Sequence, residues 1–112
     1  MAAAVPVHTV LRELGCITVG REGDTQVLRM SGDVDSDAVA AYEQSGVADG
    51  RVIGVVDLTE VTFLASSGVA FLIRQTQPAR DRGQLPALRG LSHRARRILE
   101  LTGALALFQL TS

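Results

Sequence analysis

The sequence has one cysteine, no tryptophan and no lysine, and aromatic residues fill only 4% of its 112 positions. Cys16 alone closes no intramolecular disulfide, and no second sulfur exists to build a thiolate metal site, so redox and zinc readings lose their footing. Without lysine there is no phosphate loop ending in Gly-Lys-Ser/Thr. Charged residues break every long apolar run, and none approaches the roughly 18 residues that a membrane helix requires, which excludes membrane insertion. The opening Met1-Ala-Ala-Ala-Val-Pro-Val-His8 has neither the basic nor the long apolar stretch of a secretory signal, so a cytoplasmic location is expected.

What remains is a chain of one-domain size, 46% hydrophobic, with room for a core on a small sheet but little for a large cofactor pocket. Its net charge of −1 conceals a split. Residues 1–60 carry four Arg against ten Asp or Glu, and residues 61–112 carry seven Arg against two acids. The balance gives no globally basic footprint, and nucleic acid is not an expected partner.

Residues 1–14 lack a consistent period and contain Pro6, and are expected to form an irregular arm or an extra first strand, with the domain proper at 15–112. Two β-rich runs, Cys16–Val19 and Gln26–Met30, flank the polar turn Gly20–Asp24 and predict a hairpin. Ser31–Ser36 is expected to break the second strand, with Asp35 or Ser36 capping a helix that buries Ala38, Ala41 and Tyr42 and stops near Gly46. Val52–Val56 is almost continuously apolar and β-branched, which suits a central strand. Residues 57–65 read as a connection, after which Ser66-Ser67 can cap a helix with Val69, Leu72, Ile73 and Thr76 on one face, closed by Pro78 and the Asp81–Gly83 turn. Gln84–Leu88 reads as a fourth strand, Ser92 as the cap of a third helix ending at Thr102-Gly103, and Leu105–Leu110 as a last strand. Strands alternating with helices imply crossover connections, hence an α/β fold with a mostly parallel sheet of four to five strands and about three main helices.

No catalytic constellation emerges. His8 lies in the arm and His93 among arginines on a helix, and neither is brought to a Ser and an Asp by any local pattern, so the chain is not expected to be an enzyme. Asp33 and Asp35 lack the further oxygen ligands of a metal loop and read as a solvated turn and a helix cap, so no metal or other cofactor is expected. Arg94, Arg96 and Arg97 read as a solvated helix face, and Cys16 as a small buried hydrophobe.

The informative stretch is Val55-Val-Asp-Leu-Thr-Glu-Val-Thr-Phe-Leu-Ala-Ser-Ser-Gly-Val69, which resembles the signature of the STAS domain found in bacterial anti-sigma-factor antagonists. Two further segments carry the resemblance: Ser31-Gly-Asp-Val-Asp35, similar to the family's acidic turn, and Arg89 to Leu105, similar to its last helix and the following Thr-Gly turn.

The resemblance implies a binding module without catalysis of its own. Its partners would be an anti-sigma factor with a histidine-kinase-like ATPase fold, which the unphosphorylated protein binds to release the sigma factor, and a metal-dependent Ser phosphatase. A homodimer is left open. It implies phosphorylation of Ser66, the first Ser of Ser-Ser-Gly, and a partner-binding surface formed by Asp33, Asp35, Ala65, Ser66, Ser67, Gly68 and Val69. Ala65 stands where many phosphorylated members of the family have Asp. The alternative within the family is a subunit of a membrane-lipid transport complex that binds a transporter ATPase and needs no phosphorylation.

Overall fold

The computed structural model describes residues 14–46 and 51–111. A hairpin opens the domain: β1 (Cys16–Glu22) pairs antiparallel with β2 (Thr25–Val34), joined by Gly23-Asp24. Gly23 takes a φ of 61°, which a hairpin turn with glycine at its first position requires. β1 thus runs through most of the expected turn. Then follow α1 (Ser36–Gln44), β3 (Ile53–Leu64), α2 (Ser66–Asp81), β4 (Ala87–Arg89), α3 (His93–Leu101), a 3-10 turn (Ala104–Leu107) and β5 (Gln109–Leu110). The sheet order is β1-β2-β3-β4-β5, and every pairing after the hairpin is parallel. The expected α/β architecture is the observed one. His8 and nearly all of the 1–14 arm lie outside the described residues; Leu14 makes an isolated bridge to Asp33.

The helices cover one face of the sheet. Ile17, Leu28, Met30, Val56, Leu58 and Leu88 from the strands join Val39, Tyr42, Phe71, Leu72 and Leu99 from the three helices in one buried cluster. The Tyr42 and Phe71 rings meet edge to face, 5.2 Å between centroids. Residues alternating with these in the strands, Thr18, Arg29, Asp57 and Arg89, lie in register across β1 to β4 and face away from the helices.

Several expected boundaries move. Ser31–Val34 does not break β2: Gly32 adopts a φ of 66°, a conformation cheap only for glycine, and the strand bends and continues. Residues 57–64 are strand instead of connection, because β2 supplies a parallel ladder along them. Three register shifts each place one extra residue in β3 relative to β2. α1 buries Val39 where Ala41 was expected, and Ala41 is exposed. α2 passes through Pro78 to Asp81, its last turns tied by the Arg80 guanidinium, which donates to the Ile73 carbonyl at 2.5 Å and to Thr76 Oγ1 at 2.8 Å. β4 begins after Pro86, whose ring cannot donate to the ladder. Gly103, at a φ of 77°, ends α3, and Ala104–Leu107 winds on as a 3-10 turn, leaving only two residues for β5. Cys16 is exposed, because it shares the open face with Thr18.

Candidate functional site

The ends of β2 and β3 lie side by side, Asp33 opposite Phe63 and Val34 opposite Leu64, and each strand passes directly into a helix. Asp35 is the N-cap of α1: its Oδ1 accepts a hydrogen bond from the Ala38 N–H at 3.0 Å. Asp33 is held by its neighbour strand. Thr62, the extra residue between the two shifted pairs Gly32–Val61 and Asp33–Phe63, donates its hydroxyl to Asp33 Oδ1 at 2.8 Å. A bulge re-aims a side chain in this way, and nothing in the sequence pattern had singled Thr62 out.

The start of α2 is locked against the same strand end. The Ala65 N–H donates to the Val34 carbonyl at 2.9 Å. A Cβ on Gly68 would stand 2.6 Å from the Val34 carbonyl oxygen and 2.9 Å from Val34 Cγ1, so only glycine lets the first turn approach this closely. Gly15 plays the same part beneath: a Cβ there would fall 2.0 Å from the Asp33 carbonyl oxygen.

Neither Ser66 nor Ser67 caps α2, contrary to the sequence expectation. The N-cap is Ala65, in extended conformation, whose carbonyl accepts from the Val69 N–H at 3.0 Å. The helix begins one residue early because the bond from Ala65 to Val34 fixes the entry of the chain. Ser66 is therefore the first helical residue, exposed, and its hydroxyl makes no hydrogen bond with any described residue. Ser67 is half-buried, and Gly68 and Val69 are buried beneath it. Of the seven residues expected to bind a partner, the structure gathers Asp33, Asp35, Ala65, Ser66 and Ser67 on the surface of one end of the sheet. Gly68 and Val69 hold the helix start in place from below. A helix start offers unpaired N–H groups and the positive end of the dipole. Among the described residues no group of three His, Cys, Asp or Glu side chains converges to hold a metal ion, and His93 is exposed on α3.

The open sheet face carries a second charged arrangement, which sequence reasoning missed because its members are far apart in the chain. Arg89 donates to Glu22 Oε1 at 2.9 Å, to Glu22 Oε2 at 2.7 Å and to Asp57 Oδ2 at 2.9 Å, while Arg29 pairs with Glu22. Asp57 Oδ1 also accepts from the Thr59 N–H and hydroxyl, at 2.9 and 2.6 Å. Hydrogen bonds from Arg89 hold the Glu22 carboxyl below its ordinary range. Burial pushes the Asp57 carboxyl up, but the bonds from Thr59 and Arg89 outweigh it and the net shift is downward. The two carboxylates in turn raise Arg89, so this network is fully ionised and internally satisfied.

Fold and site together define a small α/β domain whose free chemistry lies at the ends of its parallel strands, the usual place for ligand contact in such sheets. A family model described as "Mlab, STAS domain" matches residues 17–109. The chain belongs to the STAS domain family. The crystal structure of an anti-sigma factor antagonist from Mycobacterium paratuberculosis is similar to it, with 28% sequence identity over 87% of this chain and 85% of that one and a TM-score of 0.65. No curated protein matches the sequence.

Proposed function

We propose that this protein is an anti-sigma-factor antagonist, a module that binds an anti-sigma factor acting also as a Ser kinase and thereby frees the sigma factor. The observation that carries the reading is the Ser66 hydroxyl: exposed, without a hydrogen-bond partner among the described residues, and fixed at the first turn of α2 beside the Asp33–Asp35 segment. A serine spent on capping would have a structural task, and this one has none among the described residues. The similarity to the mycobacterial antagonist supports the same reading.

In this scheme Ser66 Oγ attacks the γ-phosphorus of ATP held by the kinase; ADP leaves and the hydroxyl proton passes to a base on the partner. The product adds about −1.5 to −2 charge and three acceptor oxygens. The helix start accommodates them without refolding, but a surface shaped for contact and already flanked by Asp33 and Asp35 becomes repulsive. A Ser phosphatase hydrolyses the ester and restores binding. The protein itself performs no turnover and acts in the cytoplasm; no helix among the described residues is long and apolar enough to cross a membrane.

Ala65 favours a second reading, a subunit of a membrane-lipid transport complex that works by binding alone, since no acid stands beside the acceptor to orient it or engage a kinase. Incubation with the cognate kinase and ATP, followed by mass spectrometry, separates the two. The antagonist reading expects phosphate on Ser66 and not on Ser67, and faster modification of Ala65→Asp. Phosphate on the Ala65→Asp variant alone would mean an antagonist that is constitutively active. Absence of phosphate on both proteins, together with absence of kinase binding, favours the transport reading.

A further inference from the structure

The open face of the sheet holds a hollow of about 360 Å³ towards the C-terminal ends of β2 and β3, lined by Thr18, Arg29, Ser31, Asp57, Thr59 and Glu60 among others. Sites for small molecules begin at about 300 Å³. Two rows of side chains from neighbouring strands form its floor. In the first, Thr18 stands opposite Arg29 and Arg29 beside Asp57; in the second, Cys16 stands opposite Ser31 and Ser31 beside Glu60. Between the rows β2 advances two residues and β3 three, and this bulge brings both Thr59 and Glu60 to the hollow. The rows differ in what they leave over. In the first, Arg29 and Arg89 are spent on Glu22 and Asp57, and Thr59 donates to Asp57. In the second, the Glu60 carboxylate and the Ser31 hydroxyl form no hydrogen bond or ion pair with any described residue, and neither does the Thr18 hydroxyl. Two arginines against the carboxylates of Glu22, Asp57 and Glu60 leave one negative charge uncompensated, with two unused hydroxyls beside it.

We propose that this hollow binds a small organic monocation, a protonated amine that also carries hydroxyl groups. Charge selects the ammonium, which would donate to Glu60 in a charge-assisted hydrogen bond and to the Ser31 oxygen. The hydroxyls suit what is left, because Ser31 and Thr18 can each donate and accept. An anion would meet no free cation here, since Arg29 and Arg89 already pair with carboxylates. A metal ion would lack ligands, since among the described residues no three His, Cys, Asp or Glu side chains converge. The hollow lies on the sheet face that the helices leave open, and the proposal stands independently of the reading of Ser66.

The test titrates the protein with glucosamine and, separately, with Tris, two hydroxylated ammonium ions, at a slightly acid pH where both are protonated. Glucose and glucuronate serve as the neutral and anionic counterparts of glucosamine at equal ionic strength. Backbone amide shifts are followed by NMR, and each variant is melted thermally. Saturable shifts are expected at Thr18, Ser31 and Glu60, with glucose and glucuronate binding at least about tenfold more weakly than glucosamine, because a hydrogen bond to a charged group is the stronger kind. Glu60 is exposed and unpaired among the described residues, so Glu60→Gln should melt with the parent and yet bind either amine at least about tenfold more weakly. Ser31→Ala should lose about fivefold, as for one neutral hydrogen bond. Absence of saturable shifts at these residues with both amines would overturn the proposal. Glucose or glucuronate binding as tightly as glucosamine would overturn it too, as would parent-like affinity of Glu60→Gln.

Discussion

The open sheet face and the strand ends both carry charge and hydroxyls, yet they are built in opposite ways. On the sheet face Glu22, Arg29, Asp57 and Arg89, from four successive strands, satisfy one another and Thr59. At the strand ends Asp33 and Asp35 anchor local backbone and side chains, while the Ser66 hydroxyl is left without a partner among the described residues. A network that closes on itself stabilises the sheet. The glycine-locked helix start is the reverse, a support under a hydroxyl that bonds to none of the described residues.

The largest effect should come from the support. Gly68→Ala forces a Cβ to within 2.6 Å of a backbone oxygen, so the helix start must shift. The expected cost is about 1–3 kcal/mol in denaturant unfolding, as for overpacked sites, and partner binding should fall with it. A smaller loss tests the closed network: Asp57→Ala removes an acceptor of three hydrogen bonds and should cost about 1–2 kcal/mol, without changing partner affinity.

The same network predicts a pH dependence. Glu22 and Asp57 have ordinary values of 4.5 and 3.8 and are lowered in the folded state. Their contribution is therefore present above those values and is lost as pH falls through the lowered ones. Below pH 4.5 the melting temperature of the parent should drop more steeply than that of Asp57→Asn; parallel curves would contradict the network's role. Asp35→Ala, which removes the α1 cap, should cost about 1 kcal/mol. Ser66→Ala should change stability by less than about 0.5 kcal/mol, since the side chain is exposed and bonds to none of the described residues; a loss of 1 kcal/mol or more would return Ser66 to a structural role.

Much of this was legible in the chain because local chemistry and tertiary structure agree: the Asp35 and Ser92 caps, the Gly46 and Gly103 stops and the β-branched Val52–Val56 run each do what their residue types favour. The misreadings around the site share one cause. Ser31-Gly-Asp33 and Asp57–Thr62 look like turn and loop by composition, but a neighbouring parallel strand supplies their hydrogen bonds and overrides the local preference. Ser66-Ser67 looks like a cap, and a backbone bond from Ala65 to Val34, distant in sequence, moves the helix start by one residue. The Arg89 network and the Thr62–Asp33 bond depend on register, which bulges in β3 set and no periodicity reveals.

The central claim is that Ser66 stands on a rigid partner surface whose affinity is governed by charge at that one atom. Isothermal titration of the cognate anti-sigma factor into the parent and into Ser66→Asp, alongside their thermal melts, tests it most directly. The account predicts markedly weaker binding by Ser66→Asp with an unchanged melt. Equal affinity of the two proteins would contradict it.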